Sequence, residues 1–370
     1  MNEMEAVMIN PGDETIKAIL DTAERFADRE LKEGVFERDS YPYHAFAAET
    51  FKRAGEAGLL SITAPEDLGG VALPPEVWAL VIEKLASAEA GFAACLLAHA
   101  LAAEALLRFG KAELKSQWIG ADPPRLLAYP LYLDPTDPQG LPAAEKHGDG
   151  YILAGTARLV ANAPVADAAV IAAETDGGHG VFLVPLSAET RPAPSEMLGL
   201  RPCPVGHLDL VDRELPASHL LAAGLESLAA LHELFYPAVT AILIASHKAS
   251  LDYALEYGME RYQGGRMIQE HSQLRSMYGL MAVEHIALRE AWLRTLSENG
   301  GPDARLAVKI MAAELAIRGT MDGVQLLGGY GYTMDYPQEH RMRDARQAAE
   351  IFGSPMRQKL ALIEKMIGGK

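Results

Sequence analysis

Apolar residues recur at three-and-four spacing through residues 13–32 (DETIKAILDTAERFADRELK), the stripe of an amphipathic helix. Residues 44–60 and 74–90 repeat that pattern, and the Gly- and Pro-rich stretch 64–75 between them predicts a loop. From 121 to 221 the helical period disappears and Pro and Gly rise. The runs 150–163 and 166–175 precede a turn at 176–180 (DGGHG) and a further apolar run, 181–186, which predicts short hairpins. Helical spacing returns at 225–262, with Pro237 expected at the true helix start or at a kink, and continues at 272–298, 303–327 and 354–368. Long helices of this kind bury their stripes in a bundle, often one shared between subunits. The pattern therefore predicts an α+β chain in three parts. These are an N-terminal all-α domain (1–120), a middle antiparallel β domain (121–221) and a C-terminal four-helix bundle (222–370).

Composition narrows the partners. The 370 residues are 49% hydrophobic and 22% charged, ordinary for a globular chain with a sizeable core. A net charge of −17 argues against nucleic acid or an anionic membrane as main partner. It leaves room for a small anionic ligand in a locally basic pocket. Cys95 and Cys203 form no disulfide framework and no metal-ligand spacing, and fit a reducing compartment. The acidic start MNEMEAVMINPGDETIK resembles neither a secretory signal nor a transit peptide. Apolar stretches such as 90–107 are interrupted by Glu and read as short of a clean membrane span. The expected location is the cytoplasm.

Several stretches imitate chemistry. GGYGYT at 328–333 has the glycines of a dinucleotide loop, but that loop needs a strand before it, and here a helix is expected to end at Leu327. HELFY (232–236) and EHIALRE (284–290) each hold one histidine where a zinc helix needs two. No metal site is expected, and neither a nucleophile elbow nor a P-loop is present.

Three longer stretches carry a resemblance. These are ERYQGGRMI (260–268), QLLGGYGYTMDYPQEHRMRDAR (325–346) and AAEKHGDGYILAGTARLVANAPVADAAV (143–170). With the helical, β, helical order, they make the whole chain resemble the acyl-CoA dehydrogenase family. The resemblance implies FAD as cofactor and an acyl-CoA thioester as substrate. It also implies a carboxylate that takes the α proton while hydride leaves Cβ for the flavin, and a neighbouring subunit that holds the far end of the FAD. It leaves the oligomer open between a homotetramer and a heterotetramer with a homologous catalytic subunit. Electron-transfer flavoprotein is one candidate acceptor.

Residue by residue, the resemblance divides. Arg261 matches the arginine that meets the flavin pyrophosphate. Gln325, Gly328 and Gly329 match the family's Gln-x-x-Gly-Gly, where backbone approaches the dinucleotide. The glycines also suit a helix C-cap. Gln263 and Ser354 are carried over with these cofactor contacts. The ring side is altered: the family's Trp-Ile-Thr becomes Leu159-Val160-Ala161, its Glu-Pro loop survives only as Asp134-Pro135, and Gly264 stands where a phenylalanine follows the glutamine. Counting from Arg343-Asp344, the family's glutamate position holds Phe352, whose backbone N–H is still a candidate donor to a thioester oxygen. The alternative base position on the first long helix falls on Phe235. Glu233 and Glu350 each lie two residues from a base position, about 200° round a helix in the case of Glu233. Both are candidate displaced bases or plain solvated carboxylates. Three readings follow: a dehydrogenase with a relocated base, a non-catalytic subunit that lends contacts to a partner's FAD, or a flavin monooxygenase relative. Losses on the ring side with retentions on the lending side favour the second.

Overall fold

The computed structural model describes residues 13–39, 48–297 and 300–368. The chain's first residues, and residues 44–47 of the second predicted helix, lie outside them. Helix α1 (Glu14–Phe26) begins where Asp13 accepts hydrogen bonds from Thr15 N–H (2.8 Å) and Ile16 N–H (3.3 Å), an N-cap that serves two of the helix's orphan donors. A π-helical turn, Ala27–Leu31, extends it. Helices α2 (Val35–Asp39), α3 (Ala48–Glu56) and α4 (Val77–Ala86) follow. Helix α5 (Ala90–Phe109) was not separated from its neighbours by periodicity, because it is apolar on every side and so has no stripe to read. Among the described residues two helices do have the length and hydropathy of a membrane span, α5 and α7 (Glu226–Glu260), contrary to the sequence expectation. In α5, 94% of that window is buried inside the protein, and in α7 72%. Helix α6 (Ala112–Trp118) ends this part.

Seven strands form one sheet: β1 (Leu127–Ala128), β2 (Ala143–His147), β3 (Gly150–Ala161), β4 (Ala168–Thr175), β5 (Gly178–Pro185), β6 (Val205–Pro216) and β7 (Leu220–Ala223). Their order is β6-β3-β2-β4-β5-β7, with β1 beside β4. Consecutive hairpins β2–β3 and β4–β5 are antiparallel, as the turn residues predict; β1 and β2 add parallel pairings to β4. Strand β4 is buried on both faces over Ala168–Ala173, which is why it reads as a continuous apolar run.

The C-terminal part holds α7 (Glu226–Glu260), the hairpin β8 (Tyr262–Gln263) and β9 (Arg266–Met267), α8 (Ser272–Thr295), α9 (Pro302–Leu327), α10 (Pro337–Ala348) and α11 (Pro355–Gly368). Helix α7 starts well before Pro237 and runs through it, and Trp292 Nε1–H donates to the Pro237 carbonyl at 2.8 Å.

The three parts meet at Arg343 on α10. Its guanidinium forks onto both oxygens of Asp39 at the end of α2, pairs with Glu339 (2.7 and 2.9 Å), and donates to Leu198 C=O (3.1 Å) in the loop before β6. Asp344 accepts from Leu200 N–H, and Gln347 Oε1 from Gly199 N–H at 2.9 Å. A Cβ on Gly199 would stand 2.4 Å from the Arg343 backbone, so only glycine lets this loop touch the helix. Burial pushes the Asp39 carboxyl up, but hydrogen bonds from His340 and Arg343 outweigh it and hold the group at about 2.

A folded value below the ordinary 3.8 means stability that is present above pH 3.8 and lost as pH falls toward 2. The expected contribution is about 2 kcal/mol. Melting temperature followed between pH 6 and 2 should fall in that window for the wild type. Asp39→Asn, already weakened at neutral pH, should lose less across the same window; an unchanged acid limb in the mutant would remove Asp39 from the account.

Candidate functional site

The loop between α10 and α11 places Phe352, and three features fix it. Phe352 N–H donates to Leu131 C=O at 2.8 Å. Its carbonyl accepts from Gln358 Nε2 at 2.9 Å. Its φ is +63°, a left-handed conformation unusual for a bulky residue. Beneath the loop, the wholly buried Lys309 of α9 donates to Ala349 C=O (3.2 Å), Gly353 C=O (3.3 Å) and Gln358 Oε1 (2.9 Å). Burial pulls its ammonium down to about 7, against the field of Glu350 and Asp134.

The Phe352 ring is 2% exposed. It stacks on His232 of α7 with centroids 3.9 Å apart and planes 14° from parallel, while Tyr236 meets its edge at 6.1 Å. Tyr129 packs against the other side of His232 at 5.8 Å. Burial, then Lys309, pulls His232 down to about 3, so the imidazole is neutral. Its Nε2 and the Tyr129 hydroxyl lack hydrogen-bond partners. His232 is uncharged and the Lys309 amine is committed to three acceptors beneath the loop, and the backbone N–H that the sequence offered to a thioester oxygen is taken by Leu131.

The two candidate displaced bases lie elsewhere. Glu233 is exposed on α7. Glu350 pairs with Arg346 one helical turn away. Phe235, at the alternative base position, is buried core.

The ring-side residues are closed in as well. Leu159 sits at φ +51° in a bulge of β3 opposite β6. Val160 and Ala161 are fully buried, and Ala161 exchanges both backbone hydrogen bonds with Tyr129 (3.0 and 3.1 Å). Asp134 is spent locally: its Oδ1 accepts from Thr136 N–H and Oγ1 (3.0 and 2.6 Å). Ser354 Oγ accepts from Arg357 N–H at 3.4 Å, a weak cap at the start of α11. An open cleft of about 740 Å³ lies between the β4–β5 turn and the start of α7, reaching Ala229. His232, Tyr236 and Phe352 are not among its lining residues.

The lending residues gather on a different, open face. Arg261 ends α7, exposed, with its guanidinium 5.5 Å above the Tyr330 ring and a 3.3 Å hydrogen bond to Gln263. Gly264 (φ +64°) and Gly265 (φ +86°) form the two-residue turn of the β8–β9 hairpin, which accounts for glycine where the family has phenylalanine. Gln325 is exposed on the last turn of α9. Gly328 closes that helix at φ +60°. Gly329 has no such need, and a Cβ there would meet no atom within 4 Å. Nothing inside the chain asks for glycine at that place. Tyr257, Tyr330 and Tyr336 pack on one another with centroids 5.2–6.4 Å apart, and Tyr330 and Tyr332 are 44% and 70% exposed. This face offers a cation, an amide and bare backbone, chemistry that suits an anionic, flat ligand, whereas Phe352 and Ala161 are buried.

Sequence reasoning missed His232, Lys309 and Gln358. His232 and Lys309 are remote in sequence from the loop they serve, and Gln358, six residues on from Phe352, has no motif to mark it.

Comparison with known proteins bears on this arrangement. The profile described as acyl-CoA dehydrogenase, N-terminal domain, matches residues 13–121, and that described as acyl-CoA dehydrogenase, C-terminal domain, matches 236–366. The chain is 29% identical over 357 residues to the short-chain specific acyl-CoA dehydrogenase, mitochondrial, of Bos taurus, covering 90% of this chain and 85% of the relative. It is 27% identical to an acyl-CoA dehydrogenase of Bacillus subtilis, covering 90% and 91%. A chain in a structure described as the electron transferring flavoprotein of Acidaminococcus fermentans superposes with a TM-score of 0.87 at 27% identity, covering 99% of both. Butyryl-CoA dehydrogenase from Megasphaera elsdenii gives 0.87 at 23%, covering 98% of this chain and 100% of that one, a likeness of fold.

The three donor bonds of Lys309 set the height of the Phe352 loop. Lys309→Met keeps the volume and leaves three buried acceptors unserved, each costing roughly 1–3 kcal/mol, offset in part by removal of a buried charge. A net loss of about 2–4 kcal/mol in urea unfolding is expected. A variant as stable as the wild type would show that the ammonium is tolerated rather than needed.

Proposed function

The chain belongs to the acyl-CoA dehydrogenase family, whose cofactor is FAD, and from that premise we propose that it is a non-catalytic subunit that lends FAD contacts to a homologous catalytic partner. Bound FAD in this family takes up the hydride from an acyl-CoA. The observation that carries the reading is the separation of two surfaces. The base position is sealed by the Phe352–His232 stack, whereas Arg261, Gln325 and Gly329 stand uncovered on an open face. Residues kept bare on the outside serve something brought by another chain.

Exposed apolar stripes support assembly. Leu280, Val283 and Ile286 line one face of α8, and Met356, Leu360, Ile363 and Ile367 one face of α11, all at least 46% exposed. A four-chain assembly, two lending and two catalytic, would cover both. The relocated-base alternative is weakened by Glu233 pointing to solvent and Glu350 being paired with Arg346. An electron-transfer flavoprotein would then meet the partner's flavin.

Co-purification with a family subunit carrying glutamate before its Gly-Thr tests the lending role. In that assembly Arg261→Ala removes a charge-assisted contact to the pyrophosphate, and flavin retention after dialysis should weaken roughly ten- to hundredfold. Full flavin content in the mutant assembly would refute the role.

Phe352→Glu tests the sealed site. If the missing carboxylate were the sole defect, the mutant chain alone should bleach flavin anaerobically with acyl-CoA over several chain lengths. No bleaching is expected. The new carboxylate would face the His232 ring in an apolar pocket that raises its pKa, and Val160 and Ala161 position no acceptor beside it. Bleaching on the order of 1 per second or faster would make this chain an enzyme in its own right.

A further inference from the structure

A second cavity, of about 370 Å³, lies between α2, the α4–α5 corner, α7 and α10. It takes Ser246, Ala249 and Tyr253 from α7, so it begins about 20 Å along that helix from His232. It owes nothing to the flavin face. Its walls are apolar and small: Ala86, Ala88, Ala90 and Ala249 leave the room, and Phe36, 45% exposed, forms one lip. Ligand pockets of proteins are built in this way, with apolar walls and a few convergent polar groups.

The polar groups here select sign. Arg341 lies 5.3 Å over the Tyr253 ring. Among the described residues its guanidinium makes one hydrogen bond, a long 3.5 Å contact to Gln338, so most of its five donors are unserved. Burial lowers its pKa to about 10, and Tyr253, Asp252 and Asp344 offset this only in part. His340, 5% exposed, lines the floor; its Nε2 pairs with Asp344 at 2.8 Å and its Nδ1 faces Asp39 at 3.5 Å, so Arg341 is the cation left for a ligand. Helix α10, twelve residues long, opens at Pro337 in the wall with no side-chain cap, adding unserved backbone donors. Lys32, paired with Asp28 at 2.7 Å, and Asp335 also line the cavity.

A metal ion does not suit the floor. Glu89, His340 and Asp344 do bring ligand atoms within 4.8 Å of one another. Yet Asp344 already accepts from Leu200 N–H, and Glu89 from Gly91 N–H and Arg38, with Arg343 alongside. A cation would meet engaged oxygens and two guanidinium groups.

We propose that this cavity is a binding site for a small carboxylate with an apolar body, the carboxylate on the Arg341 fork and the body against Ala249 and Phe36. The cavity's size limits the ligand to an aryl or short alkyl acid, and the planar fork suits a carboxylate better than a lone phosphate oxygen.

The test titrates the full chain with benzoate, hexanoate and the neutral isostere benzamide, followed by calorimetry. At least one acid should bind with a Kd of about 1 mM or tighter, as expected for so few heavy atoms. Benzamide should bind at least roughly tenfold weaker, as should the acid to Arg341→Gln. Ala249→Phe, which fills the cavity, should abolish binding. Circular dichroism and melting establish that each variant is folded, and the comparison of acid with amide on the wild-type chain decides the matter even if a variant is not. Failure of both acids to bind at about 10 mM, equal affinity for benzoate and benzamide, or acid binding that is unchanged in folded Arg341→Gln or Ala249→Phe would each overturn the proposal.

Discussion

The Arg343 guanidinium on Asp39 is the contact on which the relative placement of the three parts depends. A fork needs two acceptors in one plane, and here they come from α2, while the same group also reaches Glu339 on its own helix and the Leu198 carbonyl of the β part. A charge buried in this way would cost several kcal/mol if its partner were lost. The network is closed at every side. His340 is held cationic, since burial alone would discharge it but Asp344, Asp39 and Glu89 outweigh that. Glu89 is itself pushed by burial to about 7, against the pull of His340 and Arg38. The result fixes the angle between the α10–α11 corner and the sheet, and with it where Phe352 falls.

Position alone would not seal the site. The residue at the corner is held at φ +63° by hydrogen bonds on both sides of its peptide, with Lys309 and Gln358 tying down the carbonyls around it. A side chain of any type is therefore aimed at α7. With phenylalanine there and His232 opposite, two flat rings meet face to face and fill the space that a reacting substrate would need. The same loop with a carboxylate and a small residue opposite would leave that space open. The two rings that fill it come from residues more than a hundred positions apart in the chain.

This explains what could and could not be read from the sequence. Amphipathic stripes located α1, α8 and α9, and the turn residues 176–180 located the β4–β5 hairpin, because both signals are local. Helix α5 had no stripe to show. The substitution of Phe352 for a glutamate was visible by register with Arg343-Asp344, yet its partner His232 was not, since ring stacking across the fold leaves no spacing in the chain. Arg343 and Asp344 themselves served as alignment marks; their physical work is to join domains, which only the positions of Asp39 and Leu200 reveal. Gly264, read as a lost aromatic contact, is demanded together with Gly265 by a two-residue hairpin turn.

Glycine at 329 makes the sharper point. Gly199 is required because Arg343 lies against it, and Gly331 because a Cβ would come 2.2 Å from the Val324 carbonyl. Gly328 is required by its backbone angle. Gly329 meets none of these needs, and glycine near a helix end carries an entropic cost when the chain folds. A cost without an internal return is understandable when the return comes from outside, where a flat ligand or another chain lies against bare backbone. Arg261 follows the same logic, since an exposed guanidinium parked over Tyr330 gains little from its own chain. Both residues are ones that the proposed lending role would use, while the space around Phe352 is filled by its stack on His232.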